Sequence, residues 1–154
     1  MDVKNSETWS ETFEGNIIHR SDINRTVILA GEKIDSLESF FRVFGEAVNG
    51  PNGYFGRNEV AFVDCLSGRF GISRPFTIRW ENCARSRLAL NHSQQVKIVQ
   101  HLLDKKFYFE VGDEDQVALI HLLEKAKQGQ GRTAFDTLIA DIQLYDDIRL
   151  ELID

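Results

Sequence analysis

Apolar residues follow two spacings along the chain, and each spacing predicts a different element. Arg25 to Ala30 (RTVILA) is β-branched and apolar and stops at Gly31, which predicts a strand. From Leu37 the period changes. Leu37, Phe40, Phe41, Phe44 and Val48 recur at helical spacing and share one face. Ser36 or Asp35 can cap that helix, because a side-chain oxygen there accepts a free backbone N–H. Asn49-Gly50-Pro51-Asn52-Gly53 ends it, since glycine reaches positive φ and proline cannot continue a helix. A short helix is expected from about Arg57 to Leu66, followed by Ser67-Gly68. Pro75 to Trp80 (PFTIRW) alternates as a strand does.

The remainder is helical with two further alternating segments. Residues 84–91 suit a helical turn and 94–103 (QQVKIVQHLL) a helix, while Lys106 to Val111 (KFYFEV) alternates as a strand. Asp113 to Lys127 is a well-marked helix, with acids at its start and Lys125 and Lys127 at its end, each sign complementing the local pole of the helix dipole. Gly129 and Gly131 break it. Thr133 to Tyr145 reads as another helix and Ile148 to Ile153 (IRLELI) as a terminal strand. Near the start, Trp9 and Phe13 stand four apart and suit a helical turn, and residues 16–20 suit a short edge strand. Long helical crossovers between strands require parallel pairing. The expectation is an α/β domain over residues 25–154, with a small parallel sheet of about three strands, an N-terminal extension over 1–24 and extra edge strands.

Composition narrows the function. A formal charge of −6 lacks the basic surplus that displaces counterions from phosphates, so direct nucleic-acid binding is disfavoured. Acidic excess suits a basic protein partner and also serves solubility. Two cysteines, Cys65 and Cys83, are too few for a disulfide framework and are not spaced as a metal or redox motif. No apolar run reaches membrane-spanning length, and the polar, acidic start MDVKNSETWSETFEG is unlike a secretory signal, so a cytoplasmic protein is expected. The four histidines, His19, His92, His101 and His121, fall at no metal-ligating spacing, and no GxSxG, P-loop or GxGxxG motif occurs. The chain therefore reads as a binding protein without cofactor or metal, not as an enzyme.

The informative stretch runs Gly53-Tyr54-Phe55-Gly56-Arg57-Asn58-Glu59-Val60-Ala61-Phe62-Val63-Asp64-Cys65-Leu66-Ser67-Gly68. Asn58 can cap the short helix or tie down the loop. Val60 and Asp64, four apart, share one helix face, with Ser67 or Gly68 just beyond, while Ala61 and Cys65, with Phe62 or Leu66, turn inward. This stretch resembles the signature of the barstar family: an aromatic pair, Gly-x-Asn, then a helix carrying Ala, Asp-Cys-Leu and a small residue before Gly. The flanks agree, with Gly31-Glu32 and a Phe-rich helix before it and a strand ending in Trp80-Glu81 after it. The resemblance runs from about residue 25 to 90.

What the resemblance implies is a protein that plugs the active-site cleft of a ribonuclease with this helix and its aromatic loop. Such a cleft is basic because it holds RNA phosphate, and a carboxylate placed there takes charge-assisted hydrogen bonds from Arg, Lys and His. Asp64 matches the phosphate-mimicking aspartate, Tyr54 the aromatic that packs on a catalytic histidine, and Gly68 also matches. Exposure of the Tyr54 ring is accordingly expected. Four positions depart from the family pattern. Its other aspartate falls at Val60, its tryptophan at Val63, and its aromatic after the glycine at Arg69, with Phe70 next. Its acid from a late helix falls near Lys125, beside Glu124. The expected partner surface thus comprises Tyr54, Phe55, Asn58, Glu59, Val60, Val63, Asp64, Gly68, Arg69 and Phe70, with Glu59, Arg69 and Phe70 as replacement contacts. Glu110, Asp113, Glu114 and Asp115 are a second acidic candidate, which also serves simply to complement a helix dipole. The expected partner is a ribonuclease toxin bound 1:1, the chain being its inhibitor or immunity protein. The alternative is a barstar-like module redirected to a non-ribonuclease toxin or another protein.

Overall fold

The computed structural model describes residues 10–13, 16–19, 24–68, 70–106 and 113–154. Three strands, β3 (Thr26–Ala30), β4 (Phe76–Glu81) and β5 (Ile148–Leu152), form a parallel sheet in that order. The connection from β3 to β4 carries α1 (Leu37–Asn49) and α2 (Glu59–Leu66). The connection from β4 to β5 carries α3 (Cys83–Ala89), α4 (His92–Asp104), α5 (Asp113–Lys127) and α6 (Ala134–Ile142). The parallel sheet expected from helical crossovers is therefore present, with its three strands joined by six helices among the described residues.

The sheet buries one face. Val27 and Leu29 of β3, Phe76, Ile78 and Trp80 of β4 and Ile148 of β5 all point into the helical layer. On the other face Ile28, Arg79 and Glu151 stand in register across the three strands. Ile28 is half exposed there. The Glu151 carboxylate accepts from Arg79 Nε at 3.1 Å and from Arg149 Nε at 3.2 Å. A parallel sheet is usually covered on both faces. Here the ion-paired Arg79, Arg149 and Glu151 line the second face along β4 and β5, so the layer architecture is one sheet with helices on one side.

The helices form where the pattern predicts and for the expected reasons. Ser36, not Asp35, caps α1. Its Oγ accepts from Ser39 N at 3.1 Å, and Ser39 Oγ accepts from Ser36 N at 2.9 Å. Leu37, Phe40, Phe41, Phe44 and Val48 are all buried. The core is centred on Phe62 of α2, which is wholly buried among Phe40, Phe41, Phe44 and Phe55 at ring-centroid distances of 5.0 to 6.0 Å. Trp80 joins this cluster through Phe40 at 5.3 Å and Phe135 of α6 at 5.1 Å. Its buried indole N–H is satisfied by Ser86 Oγ at 2.9 Å, and that hydroxyl in turn donates to Gly31 O at 3.0 Å. A buried polar group without such a partner costs free energy.

Two expectations at the N-terminus are corrected. Ser10–Phe13 (β1) is a strand rather than a helical turn, and it pairs antiparallel with Asn16–His19 (β2). The strand at 16–19 therefore belongs to its own two-stranded sheet and not to the edge of the parallel one. One helical turn fixes several residues for a single hydrogen bond, whereas pairing four residues with four satisfies backbone groups on both segments. The strand expected at 106–111 lies outside the described residues, except for Lys106, which occupies a turn at φ 56°.

Deleting the central ring opens a cavity that five-way packing cannot close. Phe62→Ala is expected to cost about 3–5 kcal/mol, a large part of the roughly 5–15 kcal/mol available to a domain. Urea unfolding followed by tryptophan fluorescence measures it.

Candidate functional site

The segment from Tyr54 to Phe70 is built from the core outward. Phe44 and Phe55 pack at 4.9 Å, and Phe55 is wholly buried. Gly56 then turns the chain at φ 87°, so close to α2 that a Cβ there would lie 2.6 Å from the backbone N of Phe62. Only glycine meets both demands. Asn58 resolves its two alternatives in favour of the cap: its Oδ1 accepts from Ala61 N at 2.9 Å. From that cap, helical periodicity sends Phe62, Cys65 and Leu66 into the core and leaves Val60 and Val63 half-buried and Asp64 exposed. Among the described residues, no side chain pairs with the Asp64 carboxylate.

Three further groups hold this face in place. Asn49, itself buried, donates from Nδ2 to Tyr54 O at 2.7 Å and to Phe70 O at 3.1 Å. It thereby ties together the loops that enter and leave α2. The Tyr145 hydroxyl donates to Val63 O at 3.3 Å, satisfying a carbonyl near the end of the helix. Gly68 takes φ 109° just past the C-cap, where a side chain would be strained although it would have room. The sequence reading marked Asn49 only as part of a helix stop and Tyr145 only as a helix end.

The structure separates the expected site residues into two groups. Val60, Val63, Asp64 and Gly68 come together on the outward side, with half-buried Phe70 beyond them. Tyr54 does not stand out as an exposed ring. It is 6% exposed, packed 6.2 Å from Phe70 with the Arg57 guanidinium 5.9 Å from its centroid. Phe55 is core and presents no surface. Both are buried because the Asn49 bridge and the Phe44 contact draw the loop inward. Arg69 lies outside the described residues. Glu59 turns toward α6, where its carboxyl meets that of Asp141, so it is directed away from the Asp64 face.

The late-helix acid is also corrected. Lys125 and Glu124 lie on α5, whose main packing partner is α4, whereas α6 packs against α2. The acid that α6 brings to α2 is Asp141, whose carboxyl meets that of Glu59, and exposed Asp146 and Asp147 follow α6 in the chain. Asp147 pairs with Arg74 at 3.5 Å. Of the second acidic candidate, Glu110 lies outside the described residues, and Asp113, Glu114 and Asp115 form the first turn of α5.

Asp141 was not among the expected residues. Burial pushes its carboxyl up to about 9, with the hydrogen bond and charge of Glu59 adding to that effect and Arg132 opposing it. The signal for it was in the sequence: Ala134, Leu138 and Asp141 share the spacing of the inward stripe, so an acid stands at an apolar position. Elsewhere, burial raises the Cys83 thiol. Among the described residues, no group of three or more His, Cys, Asp or Glu side chains could hold a metal ion. No described helix is long and apolar enough to cross a membrane.

Comparison with known proteins bears on this geometry. Residues 24–124 match the family model described as Barstar (barnase inhibitor). That description is of an inhibitor, not of an enzyme. The match takes in β3, α1, the loop with Asn49 and Tyr54, the whole of α2, β4, α3, α4 and most of α5. No curated protein matches the chain. With well over half of its residues inside this one match, and with a three-stranded parallel sheet crossed by helices, the chain belongs to the barstar family.

Proposed function

We propose that this protein binds a ribonuclease and occludes its active site with the outward face of α2. The observation that carries the reading is the Asp64 carboxylate. It is exposed and unpaired among the described residues, on a helix whose opposite side is locked into the aromatic core. A carboxylate held in this way loses little conformational freedom on binding, and it offers a phosphate-like acceptor to the Arg, Lys and His groups of a nuclease cleft. Half-buried Gly68 and Phe70 lie just beyond it along the chain. The partner is then a basic protein, engaged 1:1 by the domain over residues 25–154. The biological role is that of an intracellular immunity protein against a toxin.

A second reading rests on Val60 and Val63. These two half-buried valines flank Asp64 where the family pattern has an acid and a tryptophan, so the face is apolar around one charge. Such a face suits a partner with an apolar rim around a single cation, which favours a non-ribonuclease toxin or another protein as the target.

Titration calorimetry against a panel of catalytically dead ribonuclease toxin domains separates the two readings. Tight 1:1 binding to one member is expected, and Asp64→Ala should weaken it by about 1.5–3 kcal/mol, the worth of a hydrogen bond to a charged group. Because Asp64 is exposed and unpaired among the described residues, the same variant should unfold within about 0.5 kcal/mol of the parent. Binding to no ribonuclease, or binding that ignores Asp64, rejects the first reading. Stopped-flow association with the bound member should also slow steeply as sodium chloride is raised, because steering between opposite fields is screened. A salt-independent rate would mean that charge does not guide the encounter.

A further inference from the structure

Two carboxyl groups meet where α2 begins. Glu59 is the first residue of α2 and Asp141 lies in the last turn of α6. Asp141 Oδ2 is sealed from solvent, and no described N–H or O–H group reaches it. What does reach the Asp141 side chain is the Glu59 carboxyl. Two carboxylates are both acceptors and repel, so a hydrogen bond between them requires one shared proton.

The surroundings do not supply that proton's equivalent. The pair lines a cleft of about 290 Å³ between α4, α5 and α6. Within it α4 contributes neutral Gln95, α5 contributes Lys125, and the turn before α6 contributes Arg132. Gln95 Oε1 accepts from Thr137 Oγ1 at 2.8 Å, and no Gln95 N–H reaches Asp141 Oδ2. Arg132 acts only through its charge, and Lys125 adds no resolved effect on Asp141. On the far side of Glu59 a smaller hollow of about 150 Å³ is lined by Glu38, Arg57, Lys97 and His101. There Lys97 is paired with Glu38 at 3.1 Å.

We infer that Glu59 and Asp141 share one proton across the α2–α6 interface, and that Asp141 is thereby a positioning residue that sets the start of α2 and makes the placement of its Val60–Asp64 face depend on pH. That α2 meets the partner is taken from the proposed function, but the proton and its effect on α2 belong to the free chain. Burial is the largest cause holding Asp141 protonated, up to about pH 9. In the unfolded chain an aspartate ionises near pH ~3.9. Folding therefore takes up a proton between those values. The stabilisation is fully present in acid and is lost as pH rises through the folded value near 9. Above it, two charges face each other across the interface and α2 loses its tie to α6.

Carbon-detected NMR of the full chain, titrated from acid to alkaline pH without any partner, tests this. The Asp141 carboxyl should titrate several pH units above an ordinary aspartate, and the methyl groups of Val60 and Val63 should shift with the same midpoint. Asp141→Asn supplies a permanent N–H donor to Glu59. It should abolish that methyl inflection and flatten the fall of melting temperature between neutral and alkaline pH. Glu59→Gln, a milder change, should lower the Asp141 midpoint by removing a neighbouring charge. The inference is overturned if Asp141 titrates in the ordinary carboxylate range, or if the valine methyls ignore its titration. With no partner in the sample, either failure leaves the ribonuclease reading untouched. A ribonuclease that fails to bind would leave this titration standing.

Discussion

The ring of Phe62 is the contact on which the proposed recognition surface depends. An eight-residue helix is too short to persist in water on its own propensity, because nucleation is costly and few bonds follow it. Phe62 supplies what the backbone cannot. By sitting among four other phenylalanines it anchors the inward side of α2, and helical periodicity then turns Asp64 outward. Gly56 follows from the same constraint, since the chain must pass within contact distance of the Phe62 backbone to enter the helix. A stack of rings that is closely packed on one side makes the other side rigid without any polar bracing of Asp64 itself.

The one-sided sheet explains where that rigidity leads. Among the described helices, α1, α2, α3, α4 and α6 share one core with Val27, Ile78 and Ile148 of the sheet. The α2 helix lies at its boundary, against α6 and under the Asn49 bridge. The polar groups near it, Asn49, Asn58 and the Tyr145 hydroxyl, are all used on backbone partners. They satisfy groups that loops and helix ends would otherwise leave open. The apolar residues hold the helix, the polar residues finish its ends, and Asp64 is left without an internal task.

What periodicity encodes was legible in the sequence, and what tertiary packing decides was not. Leu37, Phe40, Phe41, Phe44 and Val48 announced α1, and Asn58 announced the cap of α2, because each rests on neighbours within a turn or two. Tyr54 and Phe55 were read as partner contacts, since an aromatic pair after glycines looks the same whether it faces solvent or core. The Phe44 stack and the Asn49 bridge, both set by other elements, turned it inward. Glu59 and Asp141 lie on helices separated by β4 and three further helices, so no local pattern brings their carboxyls together. Only the misplaced acid on the stripe of α6 hinted at it. The assignment of the late helix failed for a related reason. Two consecutive amphipathic helices, α5 and α6, compete for the place before β5, and only packing against α2 distinguishes them.

The balance of charge around α2 bears on how selective its surface is. Glu59 is turned to Asp141 and Arg57 to the Tyr54 ring, which removes one acid and one base from the outward face. Asp64 then stands between two valines rather than within an acidic cluster. A carboxylate flanked by apolar groups is poorly served in a wet or loose contact, because burying it without a partner costs more than its long-range attraction returns. It is well served only where a cation arrives in register with an apolar rim that fits Val60 and Val63. Under the proposed function, the field of an acidic chain favours encounters with basic proteins, and this local match is what discriminates among them. Specificity in such a design comes from the cost imposed on wrong partners, and the substitutions at Val60 and Val63 are where that cost is set.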